Sequence, residues 1–256
     1  MKGLTILKLQ NITHTFHKDA SSNTILNNVS YTFLSGQSYA IMGPSGIGKS
    51  TLLHLLAGLQ TPTSGSVWIN GQNICDMPFE KRMNYTYKYV GLVFQQANLI
   101  SELNVIENVM LSAITQNQMN DNATQKALDL LMDVNLLDKA YASPNTLSGG
   151  QQQRVSILRA LFHAPSFLIA DEPTGNLDSA TAQIIMNIIQ MYQKKYSMGL
   201  IISTHDPKIA SVCDTVLQIK NNQLQDITQN AYQHASLGTM QQSADSVPDL
   251  NIHLKS

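Results

Sequence analysis

The feature that most narrows what this chain can fold into is a run of three local patterns in fixed order. Ser38 to Met42 reads as a buried strand, Gly43-Pro44-Ser45-Gly46-Ile47-Gly48-Lys49-Ser50 comes directly after it, and Thr51 to Ala57 is apolar at helical spacing with Gly58 as its cap. The octet matches G-x-x-x-x-G-K-[ST]. Strand, glycine-rich turn and helix in that order make a phosphate-binding loop. The glycines let backbone N–H groups curl round an anion, Lys49 reaches the β and γ phosphates, and the Ser50 hydroxyl can ligate Mg²⁺. The alternative is a purely structural glycine turn, and the strand before and helix after it argue against that.

The rest of the chain repeats the alternation. Leu4 to Phe16 and Val29 to Leu34 alternate loosely between apolar and polar residues, as antiparallel edge strands do. Gly65 to Gly71, carrying Trp68, and Tyr89 to Phe94 read as further strands. From about Asn104 to Leu137 the pattern is helical and no strand interrupts it; another helix runs from Gly149 to Phe162. Strand, helix and strand return at Phe167 to Ala170, Ala180 to Lys195 and Leu200 to Ser203, and Asp206-Pro207 starts a helix with proline at its first position. Strands and helices on both sides of one long helical stretch imply a parallel sheet with an inserted α lobe. From about Asp226 the sequence turns polar and aperiodic, which suggests a disordered tail or a docking segment with Val247 to Leu250 as its anchor.

Phe167-Leu168-Ile169-Ala170-Asp171-Glu172 is an apolar strand ending in two carboxylates. Beside a phosphate loop, the carboxyl end of such a strand is where the surroundings of Mg²⁺ would lie. Asp171 is then the metal's carboxylate and Glu172 the group free to orient and deprotonate an attacking water; a mere capping role for Asp171 is the plainer alternative. Between the loop and this strand lies Leu147-Ser148-Gly149-Gly150-Gln151. Ser148 stands where a helix begins, and a helix amino terminus presents unpaired N–H groups and a partial positive charge to an anion.

Six motifs in this order resemble the nucleotide-binding subunit of an ABC transporter: the loop, Gln95 after Phe94, Leu147 to Gln151, Asp171-Glu172, Asn176-Leu177-Asp178, and His205 after a strand. The resemblance covers about residues 4 to 222, and the run Asp171 to Asp178 is similar to the lipoprotein-release, macrolide-exporter and cell-division ATPases. It implies a P-loop NTPase core with a mostly parallel sheet, an N-terminal antiparallel β edge and an inserted helical lobe. The implied divisions are an ATPase domain over 1–225, with its core at 1–95 and 163–225 and its lobe at about 96–162, and a tail over 226–256. It implies ATP hydrolysis with Glu172, His205, Lys49 and Gln95 as the catalytic set. Nucleotide contacts would come from Phe16 stacked on adenine, from Gly43, Pro44, Ser45, Gly46, Ile47, Gly48, Lys49, Ser50 and Thr51, and from Gln95 and Asp171. Ser148, Gly149, Gly150, Gln151 and Asp178 would act across a dimer, completing the site of a second copy, and Mg²⁺ would be held by Ser50, Gln95 and Asp171. Ile47, Ser156 and Leu158 depart from the commoner family residues, and none of these changes removes a reacting group.

Composition bounds the partners. A net charge of −1, from 16 basic and 17 acidic residues, argues against a broad electrostatic footprint for nucleic acid or anionic lipid. The apolar runs fall far short of the roughly 18 residues that span a bilayer. The amino terminus has no apolar core of a secretory signal. If the chain serves transport, as the resemblance implies, its membrane-spanning part is another chain: an integral permease, with this chain peripheral on the cytoplasmic face. Cys75 and Cys213 stand too far apart in sequence for a disulfide framework or a metal knuckle. His14 and His17 would face opposite sides of a strand, which argues against a metal site there. Competing functions are a related ATPase of a cell-division complex, a DNA-repair or chromosome-organising ATPase, and a nucleotide sensor without turnover. The short stretch from Lys49 to Leu147 has no room for the coiled coils of the second, and the presence of Glu172 and His205 argues against the third.

Overall fold

A computed structural model describes residues 3–18 and 21–229, which form two sheets. In the first, β1 (Ile6–Lys18) and β2 (Ser21–Leu34) run antiparallel from Ile6 opposite Leu34 to Lys18 opposite Ser21. Irregularities between Leu9 and Thr15 bend the pair, and Asn11 there takes a left-handed backbone, φ 52°. β4 (Ser64–Ile69) pairs with the other edge of β1 and carries the short β5 (Gln72–Asn73). In the second sheet β3 (Ser38–Met42), β6 (Val90–Val93), β7 (Phe167–Asp171), β8 (Gly199–Thr204) and β9 (Thr215–Lys220) lie parallel, and β10 (Gln223–Asp226) adds an antiparallel edge, in the order β10-β9-β3-β8-β7-β6. The mixed α/β class with an antiparallel amino-terminal sheet is the one expected.

Helix α1 (Lys49–Leu56) buries Leu52, Leu53, Leu55 and Leu56 in one apolar cluster with Leu7, Leu9 and Phe33 from the first sheet and Ile41 and Ile169 from the second. One helix thereby joins both sheets, and burying four leucine side chains contributes several kcal/mol at about 1.5–3 kcal/mol each. The other face of the parallel sheet is covered by a second cluster. It takes Val105 and Val109 from α3 (Val105–Val109), Ala127 and Leu131 from α5 (Asp121–Asp133), Val155 and Leu158 from α6 (Gly149–Leu161), and Ile185 and Ile189 from α7 (Ser179–Tyr196).

The helical stretch from Asn104 to Leu137 is built of three helices, with no strand between them, as expected: α3, α4 (Leu111–Thr115) and α5. Met110 leaves helical geometry at ψ 8°, Asn117 is left-handed at φ 54°, and Asn120 caps α5 by accepting from the Ala123 N–H. Sequence patterning also gave no sign of α2 (Phe79–Tyr87), whose polar face dominates, or of the last two strands. β10 is largely polar because it is an edge with little to bury. The proline start at Asp206 opens the short α8 (Pro207–Ala210) as expected. Most of the tail, including Val247 to Leu250, lies outside the described residues, as does the side chain of His17.

Gly91 in β6 shows how closely α6 packs on the sheet: a Cβ there would lie 2.4 Å from the Ala160 carbonyl oxygen. Backbone cannot yield as a flexible side chain can. Gly91→Ala is expected to lower stability by about 1–3 kcal/mol, seen as a lower denaturant midpoint at unchanged m-value; an unchanged midpoint would mean that α6 moves away freely.

Candidate functional site

The parallel register sets the site. Met42 lies opposite Thr204 and Asp171 opposite Ser203, so β3, β7 and β8 end together. Gly43, Glu172 and His205, the residues just past these ends, meet on one edge of the sheet, and Gln95 comes after the end of β6 on the same side.

The phosphate loop forms at this edge. Gly48 precedes α1 with φ 114°, and a Cβ there would lie 2.1 Å from Ile25 Cγ2, so the β1–β2 hairpin presses directly on the loop. Only glycine tolerates both the backbone angle and the contact. Ile47 folds back over Gly43, where an added Cβ would come within 2.8 Å of its Cγ2, and is partly buried against the core around α1. That packing accounts for its departure from a small polar residue. Pro44, Ser45, Gly46 and Ser50 are exposed and Thr51 is half-buried. Phe16 is exposed on the same hairpin, its ring edge-on to buried His14 at 4.8 Å. Burial lowers the His14 pKa below its ordinary value.

Lys49 is only 6% exposed, and a buried ammonium must be paired. Its Nζ donates to the carbonyls of Gly43 at 2.9 Å and Pro44 at 3.2 Å and lies 3.2 Å from Glu172 Oε1. The other oxygen of Glu172 is 3.5 Å from His205 Nδ1. Glu172 has φ 42°, a left-handed backbone that costs a non-glycine residue on the order of 1–3 kcal/mol. A Cβ on Gly175 would stand 3.1 Å from Gln95 Nε2 and 3.3 Å from Glu172 Oε2, and Gln95 Nε2 donates to Asn176 Oδ1 at 3.3 Å. Lys49, Gln95, Asp171, Glu172 and His205 thus form one constellation, with Ser203 bonded to both acidic residues.

Ser148 to Gln151 and Asp178 form a second group. Ser148 caps α6: its hydroxyl accepts from the Gln151 N–H at 3.4 Å, and the Gln151 side-chain oxygen accepts from the Ser148 N–H at 2.9 Å. Gln151 is therefore engaged in a reciprocal cap, the one that its position three residues after Ser148 permits. Gly149 has open space, with Leu177 at 4.0 Å, whereas a Cβ on Gly150 would lie 2.4 Å from Thr181 Cγ2. Gly150 is thus required for packing α6 against α7. Asp178 caps α7, accepting from the Thr181 N–H at 3.0 Å and its hydroxyl at 2.7 Å, and these bonds hold its pKa below the ordinary carboxylate value. None of Ser148 to Gln151 is bonded to Lys49, Asp171, Glu172 or His205.

Three residues found only in the structure hold the segment that follows β6, two of them reaching it from α6. Gln153, buried, donates to the Phe94 carbonyl at 3.0 Å, and Arg159 donates to the Ala97 and Asn98 carbonyls at 2.7 Å each. Asn108, fully buried, donates to the Ile100, Leu103 and Asn104 carbonyls and holds the adjoining turn. Arg159 stands alone as a polar residue in an apolar helical stretch, whereas Gln153 lies within the polar run Gln151 to Arg154 and Asn108 follows Glu107, so neither of those two stands out in the sequence.

The donor set suits a hard cation carried in by a phosphate. Ser50, Asp171 and Gln95 offer oxygens, and among the described residues no group of three or more His, Cys, Asp or Glu forms a metal cage. Mg²⁺ is characteristically held this way, by one or two protein oxygens together with substrate phosphates and water.

The family model for ABC transporters matches residues 26–175. The lipoprotein-releasing system ATP-binding protein LolD of Psychrobacter arcticus is 40% identical over 217 residues, covering 84% of this chain and 96% of the relative. An uncharacterized ABC transporter ATP-binding protein of Mycobacterium tuberculosis is 37% identical over 224 residues, covering 88% and 90%. Among solved structures, a dimeric ATP-binding cassette in a post-hydrolysis state bound to ADP and Pi superposes with a TM-score of 0.79 at 34% identity, over 86% of this chain and 98% of that one.

Gln153→Leu keeps the side-chain volume and strands the Phe94 carbonyl. It is expected to destabilise the chain by about 1–3 kcal/mol, measured as a fall in thermal midpoint; an unaltered midpoint would show that α6 does not depend on this bond.

Proposed function

We propose, for a chain that belongs to the ABC transporter family and is an ATPase of that family, that two copies close on MgATP and that hydrolysis drives a separate membrane permease of the lipoprotein-releasing kind. The names of the LolD relatives support the permease class. The observation that carries the reading is that Lys49 and Glu172 pair with each other while Ser148 and Gly149, exposed at the amino terminus of α6, share no hydrogen bond or ion pair with them. A second copy would bring that terminus to the γ phosphate, so that ATP bridges two chains and its loss releases them.

In this reading Phe16 stacks on adenine, and residues Gly43 to Thr51 wrap the phosphates with backbone N–H groups and the start of α1. The entering phosphates compete for the Lys49 ammonium, which now rests on two carbonyls and Glu172. Once Lys49 turns to phosphate, Glu172 Oε1 is free to take a proton from the attacking water. His205, beside Oε2, donates to the γ phosphate, and Gln95 reports the state of the site to the helices between β6 and β7. Ser50, Asp171 and Gln95 would hold Mg²⁺, which would supply positive charge against the negative charge of the phosphates. Asp178 would meet the partner copy from its cap on α7.

The division into a core at 1–95 and 163–225 and a helical lobe at about 96–162 belongs to the same reading, with Gln95 and the α6 bonds to residues 94–98 at the joint. Among the described residues no helix is long and apolar enough to cross a membrane. The membrane path would then belong to the permease, with this chain peripheral on its cytoplasmic side.

Glu172→Gln is expected to bind ATP, to accumulate as a dimer in size-exclusion chromatography, and to hydrolyse about 10²–10⁴-fold more slowly; undiminished turnover would sink the base assignment. Ser148→Arg should abolish the ATP-dependent dimer while leaving nucleotide binding to the monomer intact. Equal loss of both in equilibrium titration would contradict a role in the partner's site.

A further inference from the structure

Ser203 ends the apolar run Leu200-Ile201-Ile202 in β8 and has no solvent exposure. A buried hydroxyl needs partners. Its partners are not on its own strand: Oγ donates to Asp171 Oδ1 at 2.6 Å and accepts from the Glu172 N–H at 2.9 Å. The first is a short bond to a carboxylate, of the strong charge-assisted kind. The second holds the peptide of a residue whose backbone is left-handed, while the Glu172 carbonyl accepts from the Gly175 N–H at 3.0 Å. One hydroxyl thus fixes the rotation of Asp171 and one side of the Glu172 turn.

We propose that Ser203 is a positioning residue for metal-dependent hydrolysis, setting the direction in which Asp171 faces a nucleotide-bound divalent cation and where the Glu172 carboxylate falls. The inference rests on the roles given above to Asp171 and Glu172. An apolar side chain would fill the same space and could do neither. Groups that orient a metal-facing carboxylate typically matter by about 10–100-fold in metal affinity or activity.

The full-length Ser203→Thr and Ser203→Val variants test this, because the two added side chains match in volume and differ in the hydroxyl; Ser203→Ala removes it without adding bulk. Two quantities are read. One is Mn²⁺ affinity of the protein loaded with a non-hydrolysable ATP analogue, by electron paramagnetic resonance. The other is the Mg²⁺ concentration giving half-maximal hydrolysis. Valine and alanine are expected to weaken both by about tenfold, threonine to stay near wild type, and nucleotide affinity in EDTA to be unchanged in all three. Equal shifts for threonine and valine, or no shift in alanine, would overturn the proposal. If valine or alanine fails to fold, Ser203→Cys supplies a similar volume with a weaker donor, and a wild-type cation dependence there would overturn it equally. Glu172→Gln run alongside separates the two readings: undiminished hydrolysis in that variant removes the base, while the Mn²⁺ affinities still report on Ser203 and Asp171.

Discussion

The parallel pairing of β3, β8 and β7 is the constraint on which the candidate site depends. Parallel strands point the same way, so the loops leaving their carboxyl ends must all emerge on one edge. The phosphate loop, the acidic pair and His205 are distant in sequence and adjacent there because the ladder aligns Met42 with Thr204 and Ser203 with Asp171. The ladder itself is held by burial on both faces. The leucines of α1 cover one face together with the antiparallel sheet, and α3, α5, α6 and α7 cover the other.

Within that frame the charge of Lys49 sets the local arrangement. A nearly buried ammonium is costly unless fully bonded, and here two loop carbonyls and Glu172 satisfy it. These partners are the ones a triphosphate would replace. The strained backbone of Glu172 belongs to the same arrangement, since its N–H, its carbonyl and both its carboxylate oxygens all have partners.

Much of this was legible in the chain. Strand, loop and helix around Lys49 are dictated by local periodicity and glycine placement, and the acidic strand end at Asp171 by an apolar run that stops at a charge. The six-motif order placed the chain in its family, which the relatives bear out. Other features were not legible because their signals depend on distant residues. β10 looks like polar loop until it pairs with β9, and α2 buries too narrow a face to show a stripe. The helical stretch after Asn104 broke at Met110 and Asn117, where no proline or glycine marks the breaks.

The sequence by itself determined the chemistry available: an anion-binding loop, a pair of carboxylates, a histidine and a helix start with a capping serine. Each is written in neighbouring residues, since backbone conformation and capping are local. Only the tertiary structure decided which of these meet. It placed Ser203 across from Asp171, gave Gln153 to the Phe94 carbonyl, and made Gly150 answer to Thr181 rather than only to an incoming phosphate. Those choices rest on sheet order and helix packing, which are set by burial summed over the whole domain and leave no mark in any single stretch of residues.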